Sequence, residues 1–202
     1  MTAPVSPDDT SLSRKGEAGR PVKVWDPLVR VLHWTMALGV IANLTLLREN
    51  DGLHNIVGYV VGGALTVRVL WGFVGTRHAR FVDFVPRPTP LLGYLKSMLA
   101  RREPRYIGHN PAGSVMIVGL LLLLAVLGLS GWMMGLDRFW GVAWVESLHE
   151  TAANIVTAAA VLHVLAAIFE SLRHRENLPW SMITGYKRAA SGTDIDHAPP
   201  AR

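Results

Sequence analysis

The chain contains no cysteine. That absence excludes disulfides, thiolate zinc sites, iron–sulfur clusters and the C-x-x-C-H attachment of c-type haem. A haem could be held here only without a covalent bond, as b-type haem is. Charge is scarce as well: 17% of the 202 residues are charged, against about 25% in ordinary soluble domains. Half of the residues are hydrophobic, and they fall into four long blocks, which is the wrong pattern for a soluble enzyme. The formal charge of +5 invites a nucleic-acid reading. The basic residues flank the apolar blocks, however, as membrane topology requires, so no nucleic-acid partner is expected. Residues 1–20 are polar and lack the apolar core of a signal peptide. They read as a disordered cytoplasmic tail, and so do residues 191–202. Residues 21–190 form the single domain.

The apolar blocks read as four helices. Asp26-Pro27 supplies a cap and a first-turn proline for the first, which runs to about Leu47 and rises roughly 31 Å, enough to cross a bilayer core. The short turn from Arg48 to Gly52 makes the second, about Leu53 to Val74, return antiparallel. The third runs from about Ala112 to Leu136 and the fourth from about Glu146 to Phe169. The expected fold is an all-α integral-membrane four-helix bundle. Lys and Arg number five up to Arg30, seven between Thr76 and Ala112 and five after Leu172, with only Arg48 and Arg138 on the other side. This asymmetry places both termini and the middle loop in the cytoplasm. Trp34 and Trp71 then belong near the inner interface, and Trp132, Trp140 and Trp144 near the outer one; packing between helices explains any one of them equally well. Leu91, Leu92, Leu95, Met98 and Leu99 form a stripe that fits a short helix on the inner membrane surface, or a plain connector.

Histidine is costly inside a membrane span, yet four lie in or at the ends of the spans and none in the third. His33 lies about 9 Å into helix one, on the inner side. His54 opens helix two on the outer side. His149 is near the outer end of helix four, and His163 follows fourteen residues later, roughly 21 Å deeper and about 40° away around the helix. Matched depths pair His33 with His163 and His54 with His149. Each pair can hold a flat macrocycle between two imidazoles in the bundle core. A zinc or copper site would instead gather three or four ligands at one depth.

The surroundings offer further candidates. Gly58 and Gly62, on nearly the same face as His54, would let a porphyrin approach the backbone; they equally fit a Gly-x-x-x-Gly helix-packing face. Arg68 is the one basic residue within a span, on the His54 face and near the depth of His163. It suits an inner haem propionate, with snorkelling as the alternative. Arg30 is a weaker candidate for that role. Glu150 and Asn154 lie near the outer pair, placed to orient His149, contact a quinone, or satisfy helix-end backbone groups. His78, His109, His174 and His197 have no partner at matched depth and read as solvated.

These residues resemble bacterial cytochrome b561 and the b-type cytochrome subunit of nickel–iron hydrogenase, from about Val24 to Arg188. The resemblance rests on the run from Trp25-Asp26-Pro27 to Leu32-His33-Trp34, on Leu53-His54-Asn55-Ile56-Val57-Gly58-Tyr59, and on Leu148-His149-Glu150 with Leu162-His163. Glu176-Asn177-Leu178 and the run Met182 to Arg188 are similar to the tail of the hydrogenase-type branch. The resemblance implies two bis-histidine haems b in the bacterial cytoplasmic membrane. It also implies respiratory electron transfer between a redox partner, either a hydrogenase or a periplasmic cytochrome c, and the quinone pool. Such a chain is more an electron-transfer subunit than a stand-alone enzyme. Two other readings stay open on the sequence: a membrane oxidoreductase acting on superoxide or a ferric chelate, and a haem-free anchor or metal transporter. Against a transporter, the chain has no broken helices and no inverted repeat.

Overall fold

The computed structural model describes residues 19–196. Four helices are long and apolar enough to cross a membrane: α1 (Pro27–Thr45), α2 (Asp51–Val74), α5 (Pro111–Met134) and α6 (Ala143–His174). Two shorter helices, α3 (Phe81–Phe84) and α4 (Pro88–Leu99), occupy the middle loop, and α7 (Leu178–Thr184) follows α6. Strand β1 (Val22–Lys23) pairs antiparallel with β2 (Tyr186–Lys187), so the two ends of the domain meet on one face. We call this the loop-rich face, and the other the turn face.

The helix starts follow from local chemistry. Asp26 caps α1 by accepting from Val29 N–H at 2.8 Å. Asn50 and Asn110 do the same for α2 and α5, accepting from Leu53 and Gly113 N–H, and each satisfies a donor that the first turn leaves without a partner. Pro27 and Pro111 occupy first-turn positions where a missing N–H costs nothing. Helix α6 begins earlier and ends later than its apolar run indicates. Its last turns carry Glu170, Arg173 and His174; partners outside the helix engage the first two, and His174 lies 3.3 Å from Glu170 one turn back. Tyr94 Oη donates to Glu170 at 3.2 Å, and Arg173 Nε donates to Glu103 at 2.6 Å. The stripe in the middle loop is a helix, α4, with Tyr94 buried against the bundle.

Helix α1 packs on α2, α2 on α5, and α5 on α6. The α1–α2 crossing is tight at Gly39, where an added Cβ would lie 2.5 Å from Val61 Cγ2. The small core there holds Leu32, Met36, Val61, Ala64 and Leu65. Much of the remaining apolar surface faces outward, including Val161, Leu162, Val164 and Leu165 of α6. Lipid is the surrounding that makes such a surface stable, and the chain is an integral membrane protein.

The loop-rich face is polar and closely tied. Trp25 Nε1 donates to Ser181 Oγ at 3.1 Å, Arg30 to the Thr184 carbonyl at 2.6 Å, and Trp34 Nε1 to the Met182 carbonyl at 3.2 Å. These bonds lace α7 onto the start of α1. Gly185 closes α7 with φ +88°, in the left-handed region where glycine is favoured. A Cβ there would lie 2.7 Å from the Trp25 carbonyl oxygen.

Residues 191–196, expected to belong to a disordered tail, are tied to the folded body. Asp194 pairs with Arg105, Ile195 bridges to Tyr106, and Asp196 meets Arg77 at 3.0 Å and His78 at 3.3 Å. Acidic residues near the end of the chain thus find arginines of the middle loop. Residues 1–18 and 197–202, the rest of the two expected tails, lie outside the described residues.

Arg105 is the hub of this region. It bonds Glu176, Asp194 and the Arg188 carbonyl, and the three charged side chains are almost fully enclosed. Burial works against the ionised forms of Glu176 and Asp194. Hydrogen bonds outweigh it, from Arg105 and Arg188 N–H to Glu176 and from Ser191 to Asp194, with the Arg105 charge adding to both, so both carboxyls titrate below their ordinary values. Groups with depressed folded-state pKa contribute stability above the ordinary carboxylate range, and that contribution is lost as pH falls through the lowered values. Replacing Arg105 with Met strands two buried carboxylates, a change that costs about 3–5 kcal/mol. We therefore predict that Arg105→Met markedly lowers the melting temperature in detergent at pH 7. The deficit should shrink on acidification below about pH 4, as the stranded carboxylates protonate; an equal deficit at both pH values would contradict this.

Candidate functional site

The structure brings the four membrane histidines together in the expected pairs. His33 of α1 faces His163 of α6 with ring centres 6.4 Å apart and planes at 53°. His54 of α2 faces His149 of α6 at 6.3 Å and 64°. Neither separation allows a hydrogen bond between the rings. Helix α6 packs against α5 and α7 and makes no comparable contact with α1 or α2, so the paired imidazoles reach across a gap between helices. Among the described residues, no group of three or more His, Asp or Glu side chains is placed to hold one metal ion.

The environments of the four rings differ. His33 Nδ1 is sealed from solvent and has no hydrogen-bond partner. His149 is held by α5: its Nδ1 lies 3.1 Å from the Leu127 carbonyl oxygen and 3.1 Å from Ser130 Oγ. A Cβ on Gly131 would come within 3.0 Å of its ring. Sequence reasoning passed over Leu127, Ser130 and Gly131. The available signal was Ser130 itself, a hydroxyl within a strongly apolar helix.

Gly58 and Gly62 do not form a tight helix crossing within this chain. A Cβ at Gly62 would meet nothing within 4 Å, and one at Gly58 only Asn43 Nδ2 at 3.8 Å. Gly39 serves that purpose instead. Arg68 is 5% exposed, so it does not snorkel to the surface. Its guanidinium lies 5.5 Å from the centre of the Phe81 ring, and its Nη1 is buried without a partner. Arg30 is committed to α7 through Thr184, with Nε unpartnered. Glu150 and Asn154 are both exposed.

Three histidines expected to be solvated belong to the folded body. His109 stacks against Trp25 and Phe84, with ring centres 4.5 and 4.7 Å away, and its Nδ1 has no partner. His78 meets Asp196, and His174 lies 3.3 Å from Glu170. The neighbours of His109 and His78 come from distant parts of the chain, which local charge does not reveal, whereas that of His174 lies one turn back on α6. His197 lies outside the described residues. Asp26 does more than cap α1. Its second carboxylate oxygen accepts from Trp71 Nε1 at 3.0 Å and Thr76 Oγ1 at 2.5 Å, tying α1 to the end of α2.

Comparison with known proteins places this geometry in context. Residues 24–185 match the family model described as prokaryotic cytochrome b561. The chain is 27% identical to a probable Ni/Fe-hydrogenase B-type cytochrome subunit of Bradyrhizobium diazoefficiens, over 84% of this chain and 87% of that one. It is 24% identical to the corresponding protein of Rhodobacter capsulatus, over 82% and 81%. For that of Cupriavidus necator the identity is 23%, over 89% and 92%. No solved structure matches the chain.

The setting of His109 yields a direct test. Burial, reinforced by the nearby positive charges of Lys187 and Arg68, pushes its pKa well below that of a free histidine. His109 should therefore stay neutral at pH 6. In NMR spectra of histidine-labelled protein, the signal abolished by His109→Phe should not titrate between pH 7.5 and 6; titration with an ordinary midpoint would refute this.

Proposed function

The chain belongs to the prokaryotic cytochrome b561 family, whose b-type cytochromes carry haem b and transfer electrons, and from that premise we propose that it holds two haems b. In this reading His33 and His163 are the ligands of an inner haem and His54 and His149 those of an outer one. The observation that carries the proposal is the spacing of the rings. Two imidazoles on one iron need about 2 Å for each metal–nitrogen bond and about 1.2 Å more from each nitrogen to its ring centre, or about 6.4 Å in all. The two pairs stand at 6.4 and 6.3 Å.

The neighbouring residues suit a macrocycle. Gly62 faces open space and Gly58 nearly so, leaving room for a porphyrin beside the α2 backbone. Arg68 offers a buried donor without a partner, suited to an inner haem propionate in low dielectric. Haem iron supplies a one-electron redox centre; the chain's own residues bind it, set its depth and shield it from water.

The protein then carries electrons across the bacterial cytoplasmic membrane, with the loop-rich face in the cytoplasm, as the Lys/Arg asymmetry favours. The partner is a nickel–iron hydrogenase on the opposite side, since the relatives are probable subunits of such enzymes, and the quinone pool is the other terminus. The sequence also admitted a periplasmic cytochrome c as partner, and the relatives favour the hydrogenase. We predict that purified protein shows a dithionite-reducible b-type spectrum, and that His163→Ala and His149→Ala each lose one haem, inner and outer respectively. Full haem content in either variant would overturn the assignment.

A further inference from the structure

Helix α5 contributes no histidine to either pair, yet it grips one of the four rings. The Leu127 carbonyl can only accept a hydrogen bond. Its position 3.1 Å from His149 Nδ1 therefore places the imidazole proton on Nδ1 and leaves Nε2 free for a metal. Ser130 Oγ lies 3.1 Å from the same nitrogen. The Ser130 hydroxyl donates to backbone carbonyls one turn back, Val126 at 2.8 Å and Leu127 at 3.1 Å, so its oxygen faces His149 as a second acceptor. Ser130 is 1% exposed, which keeps water from competing for these bonds. Gly131 completes the cradle by letting the ring lie against the helix. Among the described residues, the rings of His33, His54 and His163 have no hydrogen-bond partner of this kind.

We propose that Ser130 is a positioning residue for the outer haem, holding the His149 ring as a second acceptor beside the Leu127 carbonyl and lowering that haem's reduction potential. The inference rests on the reading of His54 and His149 as a haem-ligand pair. A ligand imidazole that donates its other N–H to an acceptor becomes more basic. A more basic ligand stabilises ferric over ferrous iron, because the ferric ion carries the larger positive charge. Two acceptors on Nδ1 therefore pull the outer potential down, and no such pull acts on the inner haem through His33 or His163.

The test is a redox titration of full-length Ser130→Ala and Ser130→Thr in detergent, with low-temperature EPR of the ferric state. The outer haem is identified as the one absent from His149→Ala. In Ser130→Ala its one-electron reduction equilibrium should shift about threefold or more toward ferrous, roughly 28 mV at 59 mV per decade, with a changed low-spin ferric signal. The inner haem should not move. Ser130→Thr, which keeps the hydroxyl, should restore the outer potential. If Ser130→Ala instead loses the outer haem, retention of that haem at its wild-type potential in Ser130→Thr supports the same role. A Ser130→Ala protein with both potentials unchanged, an equal shift in both haems, or a threonine variant indistinguishable from alanine would overturn it. Wild-type protein that does not take up two haems would overturn the underlying ligand assignment instead.

Discussion

Two imidazole pairs span the gap between α6 and its neighbours α1 and α2, with ring centres 6.4 and 6.3 Å apart. A gap of that width is hard to maintain in a membrane bundle. Helices in lipid associate through close packing and hydrogen bonds, and both would draw α6 inward. The rest of the structure keeps it in place. Helix α5 packs along α6 and holds His149 through Leu127 and Ser130. At the other end, Tyr94, Glu103 and Arg105 engage Glu170, Arg173 and Glu176. Helix α6 is thereby fixed at both ends by groups that lie outside the gap.

This division of labour explains why the loop-rich face is so heavily cross-linked. The membrane core has few polar side chains and a small buried cluster. Relative position has to be set at the ends, where polar bonds can form. Asp26 illustrates the economy: one carboxylate caps α1 and ties it to Trp71 and Thr76. Burial raises the pKa of its carboxyl, but the hydrogen bonds from Thr76, Val29 and Trp71 more than offset this, and it titrates below the usual carboxylate range.

Much of this was legible in the sequence, for physical reasons that can be named. Span length and apolarity reveal helices because a bilayer imposes both. Asp26-Pro27 marks the start of α1 because capping is local. The histidine pairs were readable because helix geometry turns the fourteen-residue interval between His149 and His163 into depth and direction. What escaped depends on partners far apart in sequence or on groups without residue identity. Arg105 and Asp194 are 89 residues apart, so the chain near residue 194 read as tail. His109 read as solvated because Trp25 and Phe84 reach it only in the folded body. The hold on His149 comes partly from a backbone carbonyl, and every residue has one. Gly58 and Gly62 show the same limit: spacing alone could not separate a helix-packing face from room beside a backbone, and only the open space at Gly62 favours the latter.

Two histidine pairs that each hold an iron require two haems in every chain. Haem extracted from the purified wild-type chain and quantified as its pyridine haemochrome, against protein measured by amino-acid analysis, should give two haems b per chain, with the ferric protein low-spin throughout. One haem per chain, or none, would contradict the reading of two histidine pairs as two haem sites.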